Sequence, residues 1–440
     1  SDWYRRIKSR LRPCCLKSLY LRWDRFDESE YLDLSAFTNL TSLALLDITT
    51  SEACSRSLCY KSLNGSFSLE YLTLERVTLY CCLLDLGRLT NLKLLRLSTL
   101  KMSKECSRSL LSSIKNCTRL ENIAIDQLTL HDGLLDFSTL TYLTSLRLSW
   151  MTMSDLCSRF LCSGIRGCIN LKKMWFNMIK LHDGVFDFDV LTKLTCITLS
   201  EVTMPDECSR SLCRSIRDCT NLEEVTLKYL NLHDGVLDLN NLTNLISLKL
   251  HRLTISNECG RSLCSSMKDC TQLKKLTLDC ITLHDGVINL VNLTKLTSLT
   301  LNDVTMSEEC SMYMCNNIGK CIHLEKIKIM NLTLHNGILE LHSLPYLTSL
   351  SLRNVIMSEE CSRSLCINMR FCYHLEKLEH VGQQFNMQEL PDDALDWSTL
   401  TNLKFIKLQA CTKSYECRES LRRSIMTCAH LENWVLNISF

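Results

Sequence analysis

A six-residue pattern, L-x-x-L-x-L with conservative swaps, constrains this chain more than any other feature. It starts at Leu16, Leu40, Leu69, Leu92, Leu120, Leu143, Leu171, Leu194, Leu222, Leu245, Leu273, Leu296, Leu324, Leu347, Leu375, Leu403 and Leu431. From Leu92 to Leu375 the steps alternate, 28 residues as from Leu92 to Leu120 and 23 as from Leu120 to Leu143, so the unit is a 51-residue pair of unlike repeats. A period of two puts alternate side chains on one face of a short strand. Strands that follow one another in parallel sit about 4.8 Å apart, and no unit buries its apolar face alone. The pattern therefore predicts one α/β solenoid over 16–440, with about seventeen parallel strands on its concave face spanning roughly 80 Å. Residues 1–15 are a flank or cap.

The two kinds of step need different returns. The longer one runs through segments such as Met204 to Cys219, read as a helix of about three turns. At about 100° per residue, Cys208, Leu212, Cys213, Ile216 and Cys219 share one arc, and Arg210, Ser211, Arg214 and Arg217 take the other. Pro205 suits the first helical turn, and Ser307 and Ser358 are expected N-caps followed by acids. The shorter step, as at Leu232 to Leu239, holds no such helix. Its Asp-Gly pair predicts a tight turn with glycine at positive φ, followed by an extended or 3₁₀ segment. Helical and thin returns should alternate on the convex side.

The motif resembles that of the leucine-rich-repeat family, and the 28-residue member is similar to the ribonuclease-inhibitor class used in cytosolic NACHT-type (NOD-like) receptors. The resemblance covers nearly the whole chain and implies a horseshoe-shaped recognition module that senses a ligand or holds a receptor closed. The family usually places Asn or Cys three residues after the last motif leucine, where the side chain satisfies backbone donors. Here Leu100, Leu128, Ile179, Leu230, Leu253, Ile281, Val304, Leu332 and Val355 stand there, so this is a divergent member with its own turn geometry.

Twenty-eight cysteines would suggest disulfides in a short secreted chain, but here they recur at repeat positions. The set Cys-x₄-Cys-x₅-Cys, as at Cys208, Cys213 and Cys219, looks like a metal or disulfide signature. Two of the three diverge around the helix, and equivalent cysteines two strands away lie near 10 Å apart by strand spacing, too far for either bond. They read as buried free thiols, which favours a reducing cytoplasm. Seven sequons, among them Asn39 and Asn241, mostly fall where Asn-Leu-Thr opens a repeat and decide little. The column His131, His182, His233, His284 and His335 reads as turn caps, and Arg56, Arg108, Arg159, Arg210, Arg261 and Arg363 as a solvated helix face.

A net charge of +2 favours neither nucleic acid nor anionic lipid, and no apolar run is long enough for a membrane span. A phosphate loop, H-E-x-x-H and G-x-S-x-G are all missing, so neither an enzyme, a cofactor nor a metal is expected. The start at Ser1 without methionine suggests a fragment or a processed form.

A protein ligand is expected on the concave face, with other domains of the same receptor as further partners. Trp23, Tyr71 and Arg96 stand out there against Thr, Ser, Glu and Lys, and the densest group is Arg147, Trp150, Trp175, Lys228, Tyr229, Lys249, His251 and Arg252. A second candidate is the irregular segment near 379–399, where His380 interrupts the leucine pattern. The leading expectation is the sensing or autoinhibitory domain of a NOD-like innate immune receptor. A free-standing inhibitor or substrate-receptor adaptor is the alternative, and an extracellular binder the third.

Overall fold

The computed structural model describes residues 15–22, 34, 37–49, 51–59, 68–79, 84–130, 134–182, 185–335, 337–381, 397–411, 415–428 and 430–439. Trp23, His131, most of the 1–15 flank and most of the 379–399 segment lie outside them. The chain divides into two compact units, Ser1–Ser215 and Ile216–Phe440.

Every motif forms a strand. The first unit has β1 (Ser18–Arg22), β2 (Ser42–Leu46), β3 (Tyr71–Glu75), β4 (Leu94–Ser98), β5 (Asn122–Asp126), β6 (Ser145–Met153), β7 (Lys173–Lys180) and β8 (Cys196–Thr203). The second has β9 (Glu224–Lys228), β10 (Ser247–His251), β11 (Lys275–Thr282), β12 (Ser298–Thr305), β13 (Lys326–Leu334), β14 (Ser349–Met357), β15 (Lys377–Val381), β16 (Phe405–Cys411) and β17 (Asn433–Ser439). Within each unit neighbours pair in parallel and in constant register, as in Thr73, Arg96, Ala124, Arg147 and Trp175 across β3 to β7. The motif leucines point inward, and Leu146, Leu148, Leu248 and Leu250 are buried. Truncating one to alanine would cost about 2–5 kcal/mol. β15 forms despite His380, which takes a motif leucine's place and is buried beside Leu378.

Two residues beyond the last motif leucine the backbone leaves the β region. Asp47, Arg76, Thr99, Gln127, Trp150, Met178 and Glu201 in the first unit, and Tyr229, Arg252, Cys280, Asp303, Asn331 and Asn354 in the second, all have φ between 49° and 55°. The kink interrupts the inside–outside alternation, so the next residue turns back into the core: Leu128, Ile179, Leu230 and Ile281 are buried there. This explains the missing asparagines. The N–H of Tyr229 donates to the His251 carbonyl at 2.8 Å, and that of Thr254 to the Leu230 carbonyl at 3.0 Å. Main-chain pairing continues past the kink, and an apolar side chain fills the space the family gives to an amide.

Among the described residues, helices cover only the longer returns. They are α1 (Glu52–Ser57), α2 (Lys104–Ile114), α3 (Asp155–Ile165), α4 (Asp206–Asp218), α5 (Asn257–Met267), α6 (Glu308–Asn317), α7 (Glu359–Met369) and α8 (Tyr415–Met426). Ser307 and Ser358 cap as expected, accepting the N–H of Cys310 and Cys361 at 3.2 and 3.3 Å. Pro205 lies one residue outside the predicted place: α4 begins at Asp206, and the Pro205 carbonyl accepts the Ser209 N–H at 3.0 Å. Ser211, expected on the polar side, is buried, because its hydroxyl folds back to donate to the Cys208 carbonyl at 3.1 Å.

The cysteines tie helix to thin return. Cys117 and Cys168 donate to the carbonyls of Leu86 and Phe137, at 3.2 and 3.5 Å, while Cys259 and Cys310 accept the N–H of Leu237 and Ile288, each at 3.4 Å. Unlike cysteines of neighbouring helices also meet, for Cys315 hydrogen-bonds with Cys361. Spacing between equivalent cysteines did not expose that pairing.

Among the described residues the thin returns are turns and extended segments, with one 3₁₀ segment at Leu341–Ser343. Gly286 and Gly337 do not take the positive φ expected of them; His284, at 51°, does in its repeat. Glycine is needed at 286 for close approach. A Cβ there would lie 2.6 Å from the Gly260 carbonyl oxygen and 2.8 Å from Cys264 Sγ.

Candidate functional site: the open face of the sheet

Side chains between the motif leucines stand on the sheet face that the returns leave uncovered. The first unit holds Arg147, Trp150 and Trp175, and the second Lys228, Tyr229, Lys249, His251 and Arg252. Lys249 and Arg147 are exposed at mid-strand, as the period of two requires. Lys228 and His251 directly follow the last motif leucine, and Trp150, Tyr229 and Arg252 come one residue later: each of these three is the left-handed residue of its repeat and is exposed, Trp150 within β6 and the other two just past the end of their strands.

In the first unit, Arg147 is the register partner of Trp175, and its guanidinium carbon lies 3.8 Å from the ring centre. On the other side Arg147 faces Ala124, which in turn faces Arg96. Two residues further along these strands Asp126 accepts hydrogen bonds from Ser98 Oγ, at 3.2 Å, and from Ser149 Oγ. Arg96, Ala124 and Arg147 with Ser98, Asp126 and Ser149, and Leu97 and Ile125 beneath, line a depression of about 180 Å³.

In the second unit the ring of Tyr229 meets that of His251 edge-on, centres 4.8 Å apart, and Arg252 lies 5.5 Å from the Tyr229 ring. His251 Nδ1 is hydrogen-bonded to Asp279 Oδ2, and Asn302 Nδ2 donates to Asp279 Oδ1 at 2.6 Å. Burial raises the Asp279 carboxyl, but hydrogen bonds from Asn302, Cys280 and His251 outweigh it and hold the group below the usual range. Asp279 thus fixes the imidazole that supports Tyr229. Further along, Glu379 is buried, with Arg353 Nη2 at 2.7 Å and Ser351 Oγ at 3.2 Å. Burial raises its carboxyl too, and Arg353 with Ser351 and Lys377 brings it down overall.

Reading the motifs singly missed Ala124, Asp126, Asp279 and Asn302. The signal was the register: stepping by 28 and 23 residues brings Arg96, Ala124 and Arg147 into one row. Of the other columns the arginines are exposed, while the histidines, expected as turn caps, are half-buried at His182, His284 and His335 and exposed at His233, and His284 Nε2 lies 3.2 Å from the Ile255 carbonyl. Arg363 pairs with Glu359 at 2.7 Å, and His182 with Asp155 at 3.1 Å, each at a helix start. Among the described residues no group of three His, Cys, Asp or Glu could hold a metal ion, and no helix is long and apolar enough to cross a membrane.

No family model matches the chain, and no curated protein matches its sequence. Among solved structures it is similar to an internalin of Listeria monocytogenes at 16% identity, with a TM-score of 0.51 over 84% of this chain and 88% of that one. It is similar to a leucine-rich-repeat protein of Leptospira interrogans at 16% identity, with a TM-score of 0.52 over 99% of this chain and 98% of that one. A TDR receptor gives 13% identity and a TM-score of 0.50 over 89% and 73%. At these identities the likeness is one of fold, and this chain has the leucine-rich-repeat fold.

Proposed function

We propose that this chain is a non-catalytic module that binds protein through the open face of its sheet. The carrying observation is the set of large side chains held there by specific contacts: Arg147 on Trp175, and Tyr229 between His251 and Arg252. None of them fills the core. Aromatic and arginine side chains fixed before binding lose little entropy on contact with a partner, which is what binding hot spots require.

The finer reading is the ligand-sensing or autoinhibitory domain of a cytoplasmic NOD-like receptor. It rests on the paired 28- and 23-residue repeats and on thiols such as Cys157, Cys264 and Cys321, which are free and buried. Thiols at this density are easiest to keep reduced in the cytosol.

Two measurements test these readings. Cross-linking in cells would compare the wild type with Trp175→Ala, with Arg252→Glu and with a helix-face control, Arg210→Glu. Binding through the sheet requires that partners shared by wild type and control be lost from the other two; retention by both would refute it. Intact mass and thiol titration of the natively purified protein test the compartment. An unmodified mass with nearly all 28 cysteines reactive after unfolding supports the cytoplasm, whereas paired thiols and sugar on the sequons would make the protein extracellular.

A further inference from the structure

Three arginines on this face are matched by acids. Arg22 and Arg76 both pair with Asp47, and Arg353 pairs with Glu379. Arg96 and Arg147 differ. Among the described residues neither guanidinium is in an ion pair, and the two stand either side of Ala124 in the same row. Two strand spacings separate their backbones by about 10 Å, and both side chains line the depression whose middle holds the Ala124 methyl group. Arg147 is held in place by Trp175. The nearby carboxylate, Asp126, is engaged by Ser98 and Ser149 on the two flanking strands.

We infer that this depression takes a carboxylate from an acidic peptide segment of a partner protein, bound between Arg96 and Arg147 over Ala124. The inference rests on the reading of the open face as a protein-binding surface and gives that surface its chemistry. Size favours a side chain over a free metabolite: about 180 Å³ is below the roughly 300–1,000 Å³ of small-molecule sites. Charge favours a carboxylate over a phosphate. Two guanidiniums against Asp126 leave a single positive charge, which a monoanion balances and a dianion exceeds, and a planar guanidinium matches a planar carboxylate in two-point contact.

The test uses the full chain and three labelled peptides of alternating glycine with glutamate, glutamine or phosphoserine, followed by fluorescence anisotropy at low salt. The glutamate peptide should bind most tightly and weaken as salt is raised. Arg96→Glu and Arg147→Glu should each lower its affinity at least tenfold. Ala124→Leu fills the depression while keeping both arginines, and should lower affinity by a similar factor without changing the circular dichroism spectrum. Undiminished binding in Ala124→Leu would overturn the inference, as would tighter binding of the phosphoserine peptide or equal binding of the glutamine one. The two readings fail separately. If cellular partners need the sheet face but tolerate Ala124→Leu, the binding face stands and this site falls. If the peptide needs Arg96, Ala124 and Arg147 but no cellular partner is lost from the sheet-face variants, the site stands and the broader reading falls.

Discussion

Arg147 and Trp175 are register partners on adjacent strands, and the guanidinium stacks 3.8 Å from the indole centre. The contact fixes the direction of a charge that is in no ion pair among the described residues. At an exposed site such a pair is worth about 0.5–1 kcal/mol. A double-mutant cycle with Arg147→Ala and Trp175→Ala, read by urea unfolding, should return a coupling of that size. Arg147→Lys should lose most of it, because an ammonium keeps the charge but not the plane. A coupling near zero would leave Arg147 free to move and remove the reason for treating it as preorganised.

Thr99 carries the least comfortable of the kinks, a β-branched residue at a φ of 54°. The left-handed region costs an ordinary L-residue about 1–2 kcal/mol, and asparagine less. Thr99 Oγ1 donates to Gln127 Oε1 at 3.0 Å, a bond an amide can also make. Thr99→Asn should therefore raise stability by about 1 kcal/mol, seen as a higher urea midpoint with an unchanged slope. An unchanged or lower midpoint would show that the side chain adds no strain there.

How much of this was legible in the sequence depends on what each feature is made from. The strands and helices were, because Leu146, Leu148 or Leu212 must recur wherever a surface is buried. The kinks were not. Their positions hold Asp, Arg, Thr, Gln, Trp, Met, Glu, Tyr, Cys and Asn, so composition carries no signal. They follow from main-chain pairing between repeats. For the same reason Trp150, Tyr229 and Arg252 are exposed as expected but stand on the kink and not between the motif leucines. Asp279 was invisible as one acid among threonines, and became meaningful only when His251 was found opposite it.

Leu230 offers a test of that account. It occupies the place where the family carries asparagine, yet it is buried, and the main chain around it is already paired, Thr254 N–H to its own carbonyl at 3.0 Å. Leu230→Asn should destabilise the protein by about 3 kcal/mol, from lost apolar burial and an amide with no partner to replace water. Denaturant unfolding would measure it. A neutral or stabilising result would mean that a backbone donor had been waiting for the side chain.

The buried cysteines make stability depend on alkaline pH. Burial pushes the thiols of Cys162 and Cys168 in the first unit, and of Cys264, Cys270, Cys321 and Cys372 in the second, from the ordinary 9.0 up to about 12. A folded-state value above the unfolded one means that the contribution to stability is complete below about pH 9. Above it the unfolded chain releases protons that the folded chain retains, so stability falls between pH 9 and 12. The urea midpoint should show no thiol-linked loss from pH 6 to 8 and should decline from about pH 9. Cys264→Ala should make that decline shallower, at a cost near neutral pH of about 1 kcal/mol in packing. Iodoacetamide at pH 8 should modify these thiols only as fast as the protein opens. Rapid labelling of the native protein, or stability that holds level to pH 11, would mean that the thiols are not sealed between helix and thin return.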